Sequence, residues 1–177
     1  MNNIAFWSST PQQGKTTAAR FLMNEYGYSC ISFADPLKAM IRTLLTCAGY
    51  SYDDIQAYCG EKKEEEIPII GASYRHLART LGTEWGRELV SSDVWLNIAE
   101  RRIARSLESI CVDDMRFRNE LDLLRGKGFK LVKIVRETKR QDFHASDVTL
   151  RDFDDWDYVI ENNGTLSDLY KKIEAVL

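Results

Sequence analysis

Hydrophobic and polar positions along the chain switch repeatedly between a short unbroken apolar run and a three-to-four-residue period. Ile4–Trp7 is the first run; a polar stretch follows, and Ala18, Phe21 and Leu22 then fall at helical steps, which predicts strand, loop, helix. Residues 30–34 predict a second buried strand closed by Asp35-Pro36, and Leu37, Met40, Ile41, Leu44, Leu45 and Ala48 an amphipathic helix after it. Between 49 and 73 the period loosens. A short helix over 53–58, a solvated charge run over 61–66 and the apolar residues 67–71 predict an excursion over the sheet, not one of its strands. Two helices follow, over 74–90 with Ala78, Leu81, Trp85 and Leu89 on one face, and over 93–107 with Asp93 as N-cap and Trp95, Ile98, Ala99 and Ile103 inward. Residues 109–114 predict a strand ending in two carboxylates. Residues 117–125 predict a helix with Leu121 and Leu124 inward, stopped by Gly126 and Gly128, and 129–135 another strand. After an acidic, exposed stretch at 152–157 come a short strand at 158–160, a turn at 162–164, and a helix capped by Thr165 and Asp168 that buries Leu166, Leu169, Ile173 and Val176. This alternation implies a parallel α/β sheet with right-handed crossovers.

The candidate chemistry begins at the first loop. Gly14-Lys15-Thr16-Thr17 stands between a strand and a helix, where backbone N–H groups and the helix N-terminus hold phosphate, a Lys reaches the outer phosphates and a Ser or Thr hydroxyl holds Mg²⁺. Ser9 occupies the position where such loops usually carry Gly; it fits if the backbone there avoids positive φ. Asp113 and Asp114 end a strand beside this loop, the place for an acid that orders the metal. Lys38 lies in the first turn of a helix, where a cation is disfavoured unless exposed or beside a bound anion. Gly82 and Gly86 sit inside a helix at a cost of about 1 kcal/mol each relative to Ala, which implies close approach by a neighbour or a ligand. That helix also carries Arg75, His76, Arg79 and Arg87. Residues 136–151 lack a period and hold Arg136, Lys139, Arg140, His144 and Arg151, a basic loop at the ligand edge of the sheet; no partner for His144 is visible and it receives no catalytic role.

Composition narrows the classes. A chain of 177 residues suits a single domain over 1–177, and 44% hydrophobic with 29% charged residues is ordinary for a globular protein. A net charge of −3 argues against a nucleic-acid polymer as partner. Cys30, Cys47, Cys59 and Cys111 have no zinc-type spacing and read as buried thiols in a reducing compartment. No apolar run reaches the ~20 residues that span a bilayer, and the first residues lack a signal-peptide layout, so the expectation is a cytoplasmic protein without a membrane partner.

Three segments together resemble the tailed-phage deoxynucleoside monophosphate kinases, within the adenylate-kinase-like P-loop kinases. They are the loop with Phe33-Ala34-Asp35-Pro36-Leu37-Lys38; Arg75 with Leu81-Gly82-Thr83-Glu84 and Val94-Trp95; and Val112-x-Asp114-x-Arg116-x-x-x-Glu120, followed by Ile134-Val135-Arg136, His144-Ala145-Ser146-Asp147 and Asn162-Asn163-Gly164-Thr165-Leu166. The resemblance implies a three-layer α/β/α P-loop kinase with a parallel central sheet, a helical monophosphate-binding region at 49–108 and a lid at 136–151, making dNDP from dNMP and ATP. Gln13, Gly14, Lys15, Thr16 and Thr17 would bind ATP; Thr16 and Asp114 would hold Mg²⁺, with Asp113 left open as the alternative acid. Lys38, Arg75, Arg79, Gly82, Thr83, Trp95, Asp114, Arg116 and Glu120 would bind the monophosphate, and Lys15, Arg116, Arg136 and Arg140 would act on the transferring group. Arg79 stands where the family pattern has Gln, a departure that bears on the base accepted. A homodimer is left open, as is a host-cytoplasmic location for a phage-encoded chain. A dephospho-coenzyme-A-kinase-like enzyme and a non-catalytic nucleotide-binding module are the alternative readings.

Overall fold

A computed structural model of the chain describes residues 2–137 and 150–177, and its contacts divide into two compact units, 1–32 with 99–177 and 33–98. In the first unit β1 (Ile4–Trp7), β2 (Ser29–Cys30), β5 (Ile110–Val112), β6 (Lys130–Val135) and β7 (Tyr158–Glu161) form an all-parallel sheet in the order β2-β5-β1-β6-β7. β1 is central and buried throughout, which is why its sequence is an unbroken apolar run.

Alternation along the strands divides their side chains between two faces. Ile4, Phe6, Cys111, Val132, Ile134 and Ile160 share one face, packed on Ala18, Phe21 and Leu22 of α1 (Lys15–Tyr26) and Leu169 and Ile173 of α7 (Leu166–Glu174). Chain handedness places α6 (Arg118–Gly126) on the other face. The β1-α1-β2 and β5-α6-β6 connections step across the sheet in opposite directions, so right-handed crossovers put their helices on opposite sides. Trp7 points to the side of α6, and Trp156 stacks on it with ring centroids 5.0 Å apart. Phe153 lies against the guanidinium groups of Arg118 and Arg125 from α6, at 5.5 and 5.0 Å. The aspartates of 152–157 are exposed as expected, yet the aromatics among them belong to this layer. The layering is α/β/α.

The second unit contains α2 (Asp35–Cys47), α3 (Tyr52–Cys59), the antiparallel pair β3 (Glu66–Ile67) and β4 (Ala72–Ser73), and α4 (Tyr74–Thr80). α4 continues as a π-helical segment, Leu81–Val90. Leu37, Ile41, Leu45, Ile55, Ile67, Tyr74 and Trp95 form its core. As expected, 49–73 adds no strand to the main sheet; α3 is fixed by a capping box between Ser51 and Asp54.

Several expectations need correcting. The second strand ends at Cys30; the Ile31 N–H still donates to Cys111 O, but Pro36 in the first turn of α2 has already begun a helix. The buried stripe of α2 is Leu37-Ile41-Leu45, and Met40 and Leu44 are exposed beside it. π-winding turns the face predicted for 74–90 outward at its far end: Trp85 is 41% and Leu89 79% exposed. In α5 (Val94–Ile103) the buried positions Trp95, Ala99 and Ile103 recur every four residues and leave Ile98 outside, and Leu166, the first residue of α7, is exposed. Of the cysteines, Cys111 is buried, Cys30 and Cys59 are half-buried and Cys47 is exposed.

Candidate active site

In a parallel sheet every strand opens at the same edge, so the loop after β1, Asp113 after β5, Arg136 after β6 and Asn162 after β7 all emerge there. The loop between β1 and α1 makes its left-handed turns at Gln12 (φ 63°) and Gly14 (φ 110°). Ser9 therefore needs no glycine-like conformation. Lys15 folds back so that its ammonium donates to Ser8 Oγ, and Ser8 Oγ donates to Thr10 O at 2.8 Å. The Gln13 amide donates to Thr10 Oγ1. Gly14 caps α1 without any side-chain acceptor, and the first turn of α1 carries no acid of its own, so its N–H groups face the loop at the positive end of the helix dipole. These are the conditions for anion binding at a helix N-terminus.

Thr16 Oγ1 donates to Asp113 Oδ2 at 2.9 Å, and Ser32 Oγ to Asp113 Oδ1 at 3.2 Å. Of the two candidate acids, Asp113 is thus the one in contact with the loop threonine, with Asp114 half-buried one residue on. Ser8 and Ser32 were missed in the sequence because a lone serine after a strand carries no periodic or spacing signal. Two hydroxyls around one carboxylate form a hard oxygen set of the kind Mg²⁺ prefers. Among the described residues no cluster of three or more His, Cys, Asp or Glu offers a denser cage. The hydrogen bond to Cys111, with burial, pushes the Cys30 thiol well above its ordinary value.

Arg116 is exposed, while its backbone N–H donates to Glu120 Oε2 at 2.7 Å and that of Phe117 to the same oxygen at 3.0 Å. Glu120 is only 2% exposed, and these two bonds tie it to the turn ahead of α6. Thr17 is half-buried in α1, and Arg136 is exposed just past β6. Lys139, Arg140 and His144 lie outside the described residues, as does most of 136–151.

Within the second unit, Lys38 is half-buried in the first turn of α2, and Arg75 and Arg79 are exposed on α4. Arg75 forms an ion pair with Glu64. Thr83 is half-buried in the π-helical segment. Its two glycines follow from packing: a Cβ on Gly86 would lie 2.6 Å from the Trp95 ring, and one on Gly82 3.3 Å from Leu37 Cδ2. Trp95, 3% exposed, donates its indole N–H to Gly82 O at 2.8 Å. The Leu81-Gly82-Thr83 motif and Val94-Trp95 are thereby joined in one packed unit.

Residues 44–173 match the family described as "Deoxynucleotide monophosphate kinase". The chain is 31% identical over 176 residues to a putative deoxynucleotide monophosphate kinase of Acanthamoeba polyphaga mimivirus, a match covering 90% of this chain and 88% of that one. It is 32% identical over 136 residues to the deoxynucleotide monophosphate kinase of Escherichia phage RB69, covering 73% of this chain and 54% of the relative. With the deoxynucleoside-5'-monophosphate kinase of Escherichia phage T5 it shares 39% identity over 75 residues, 42% of this chain and 30% of the relative. With its family matched over most of its length, the chain belongs to the deoxynucleotide monophosphate kinases.

Proposed function

We propose that the chain transfers the γ-phosphoryl group of ATP to the 5′-phosphate of a deoxynucleoside monophosphate, giving ADP and a deoxynucleoside diphosphate. The observation that carries this reading is the convergence of Lys15, Thr16 and Asp113 at the carboxyl edge of the parallel sheet, in a chain of this family. The loop over 8–16 takes the β- and γ-phosphates of ATP through its backbone N–H groups and Lys15, which exchanges Ser8 for phosphate oxygen.

Thr16, Asp113 and Ser32 fit a Mg²⁺ ion bound with phosphate oxygens and water, Asp114 standing next to them. When bound, that ion would offset negative charge on the phosphates. Arg75 and Lys38 grip the acceptor phosphate, with Arg79, Gly82, Thr83 and Trp95 shaping the same region, and Arg116, held by Glu120, and Arg136 offset charge on the transferring group. The acceptor phosphate is already ionised near neutral pH, so no general base is needed; the bond from the γ-phosphorus to the ADP oxygen breaks as that to the acceptor oxygen forms.

The test is ADP release measured with ATP and each of dAMP, dGMP, dCMP, dTMP and dephospho-coenzyme A. Release that depends on at least one dNMP and is lost in Lys15→Ala is expected. Release with dephospho-coenzyme A alone, or ATP binding without acceptor-dependent release, would overturn the proposal.

A further inference from the structure

We propose that Asn162 is a positioning residue for the donor nucleotide, fixing the direction of the Gly14 amide in the phosphate loop. Its Nδ2 donates to Gln13 O at 2.9 Å, and both Asn162 and Gln13 are buried, at 8% and 3% exposed. A side chain so placed has few alternative positions. The backbone of Asn162 is pinned as well, because its N–H donates to Val135 O at 2.7 Å and continues the β6–β7 ladder one residue past the strand.

The consequence runs through one peptide plane. The 13–14 peptide is trans, so its C=O and N–H point in opposite directions, and a carbonyl tied to Asn162 aims the Gly14 N–H away from it. Glycine at φ 110° tolerates either sign of φ, so without the tie that peptide is free to turn over. Turned over, it would present a carbonyl oxygen to the nucleotide phosphates where an N–H donor is needed. Asn162 also closes the space around Gly14: a Cβ there would lie 2.6 Å from Nδ2. The contact needs a donor, which distinguishes Asn from its isostere Asp. On this view the edge strand β7 serves to carry an amide group to a loop about 150 residues earlier in the chain.

This inference rests on the phosphate-loop reading of 8–16, and Lys15→Ala tests that reading separately. The decisive variant is Asn162→Asp, of equal size but without the donor. It is expected to raise KM for ATP and the Kd for ADP by about tenfold, the usual worth of one such hydrogen bond. KM for the deoxynucleoside monophosphate should stay within about twofold, since the proposed function assigns that substrate to Lys38 and Arg75 and the loop to ATP. Asn162→Ala, with both constants measured on folded protein below its Tm, gives the same contrast if the Asp variant does not fold. A purely structural role would lower kcat with the folded fraction and leave KM for ATP unchanged; that result, alongside an impaired Lys15→Ala, would overturn the proposal. A Lys15→Ala protein with normal ATP kinetics would remove the phosphate-loop reading and this inference with it.

Discussion

The hydroxyl of Thr16 and the carboxylate of Asp113, 97 positions apart in sequence, meet in a 2.9 Å hydrogen bond. Thr16 is the second residue of α1, and Asp113 is the first residue after β5. Because β5 pairs with β1 in parallel register, Ala5 against Val112, the acid is delivered to the start of the helix that follows β1. The contact is thus a product of sheet topology, and it sets the Asp113 carboxylate against the threonine in the first turn of α1.

Asp113→Asn should therefore lower kcat by roughly 100-fold or more, the scale for losing a positioned charge at a phosphoryl-transfer centre, and raise the Mg²⁺ concentration at half-maximal rate. Asp114→Asn should move the Mg²⁺ dependence less. Magnesium titrations of both variants under saturating nucleotide decide the order; equal effects would remove the distinction.

Arg75 is paired with Glu64 across an exposed contact, 55% and 62% accessible on the two side chains. On the proposed function, an acceptor phosphate at Arg75 competes with that carboxylate for the guanidinium's charge and donors. Glu64→Ala should lower KM for the deoxynucleoside monophosphate up to roughly threefold, an exposed ion pair being worth at most about 1 kcal/mol. Arg75→Ala should raise it about 10–100-fold, as expected for a charged hydrogen bond to phosphate. Initial-rate kinetics over a range of monophosphate concentrations separate the two, and unchanged KM in both variants would place acceptor binding elsewhere.

Much of this was legible in the sequence. Apolar runs bounded by helical periods mark the strands in their order of appearance and the parallel class, and the Thr165–Asp168 cap and the lack of a main-sheet strand from 49–73 are readable from local chemistry. Tertiary partners were not. Phe153 is buried and Trp156 half-buried against Trp7 and α6 although their neighbours are aspartates, and periodicity in so acidic a stretch has nothing to register. The wide turns of the π-helical segment break the 3.6-residue rule itself, so a helical period predicts Leu89 inward while it stands outward. Asn162 looked like a turn residue because its role depends on Gln13, a neighbour only in the fold.

Gly86 tests the packing of the π-helical segment. Gly86→Ala forces a methyl into the Trp95 ring from 2.6 Å and should destabilise the protein by about 1–3 kcal/mol, the usual range for overpacking, despite the better helix propensity of Ala. Trp95→Phe loses the bond to Gly82 O and should cost about 1 kcal/mol for that bond, with a further loss from the smaller ring. Urea unfolding measures both. In the double variant Gly86→Ala, Trp95→Phe the smaller ring should relieve the clash, giving less destabilisation than the sum of the two. Strict additivity would show that the glycine is needed for another reason.

The cap of α7 makes a prediction about pH. Asp168 Oδ2 accepts from the Thr165 hydroxyl at 2.7 Å and from the Thr165 N–H at 2.9 Å, and these bonds hold its carboxyl below the usual carboxylate range. A carboxyl depressed in the folded state contributes stability that is fully present above its unfolded pKa and is lost as pH falls through the folded value. Thr165→Ala removes the hydroxyl and should lower Tm by roughly 2–4 °C at pH 7. The gap from the parent chain should narrow below about pH 4, as protonation of Asp168 weakens the same bonds in the parent. Thermal melts of both chains at pH 7, 5 and 3 would show this; a gap that widened on acidification would mean that the hydroxyl does not stabilise the ionised carboxylate.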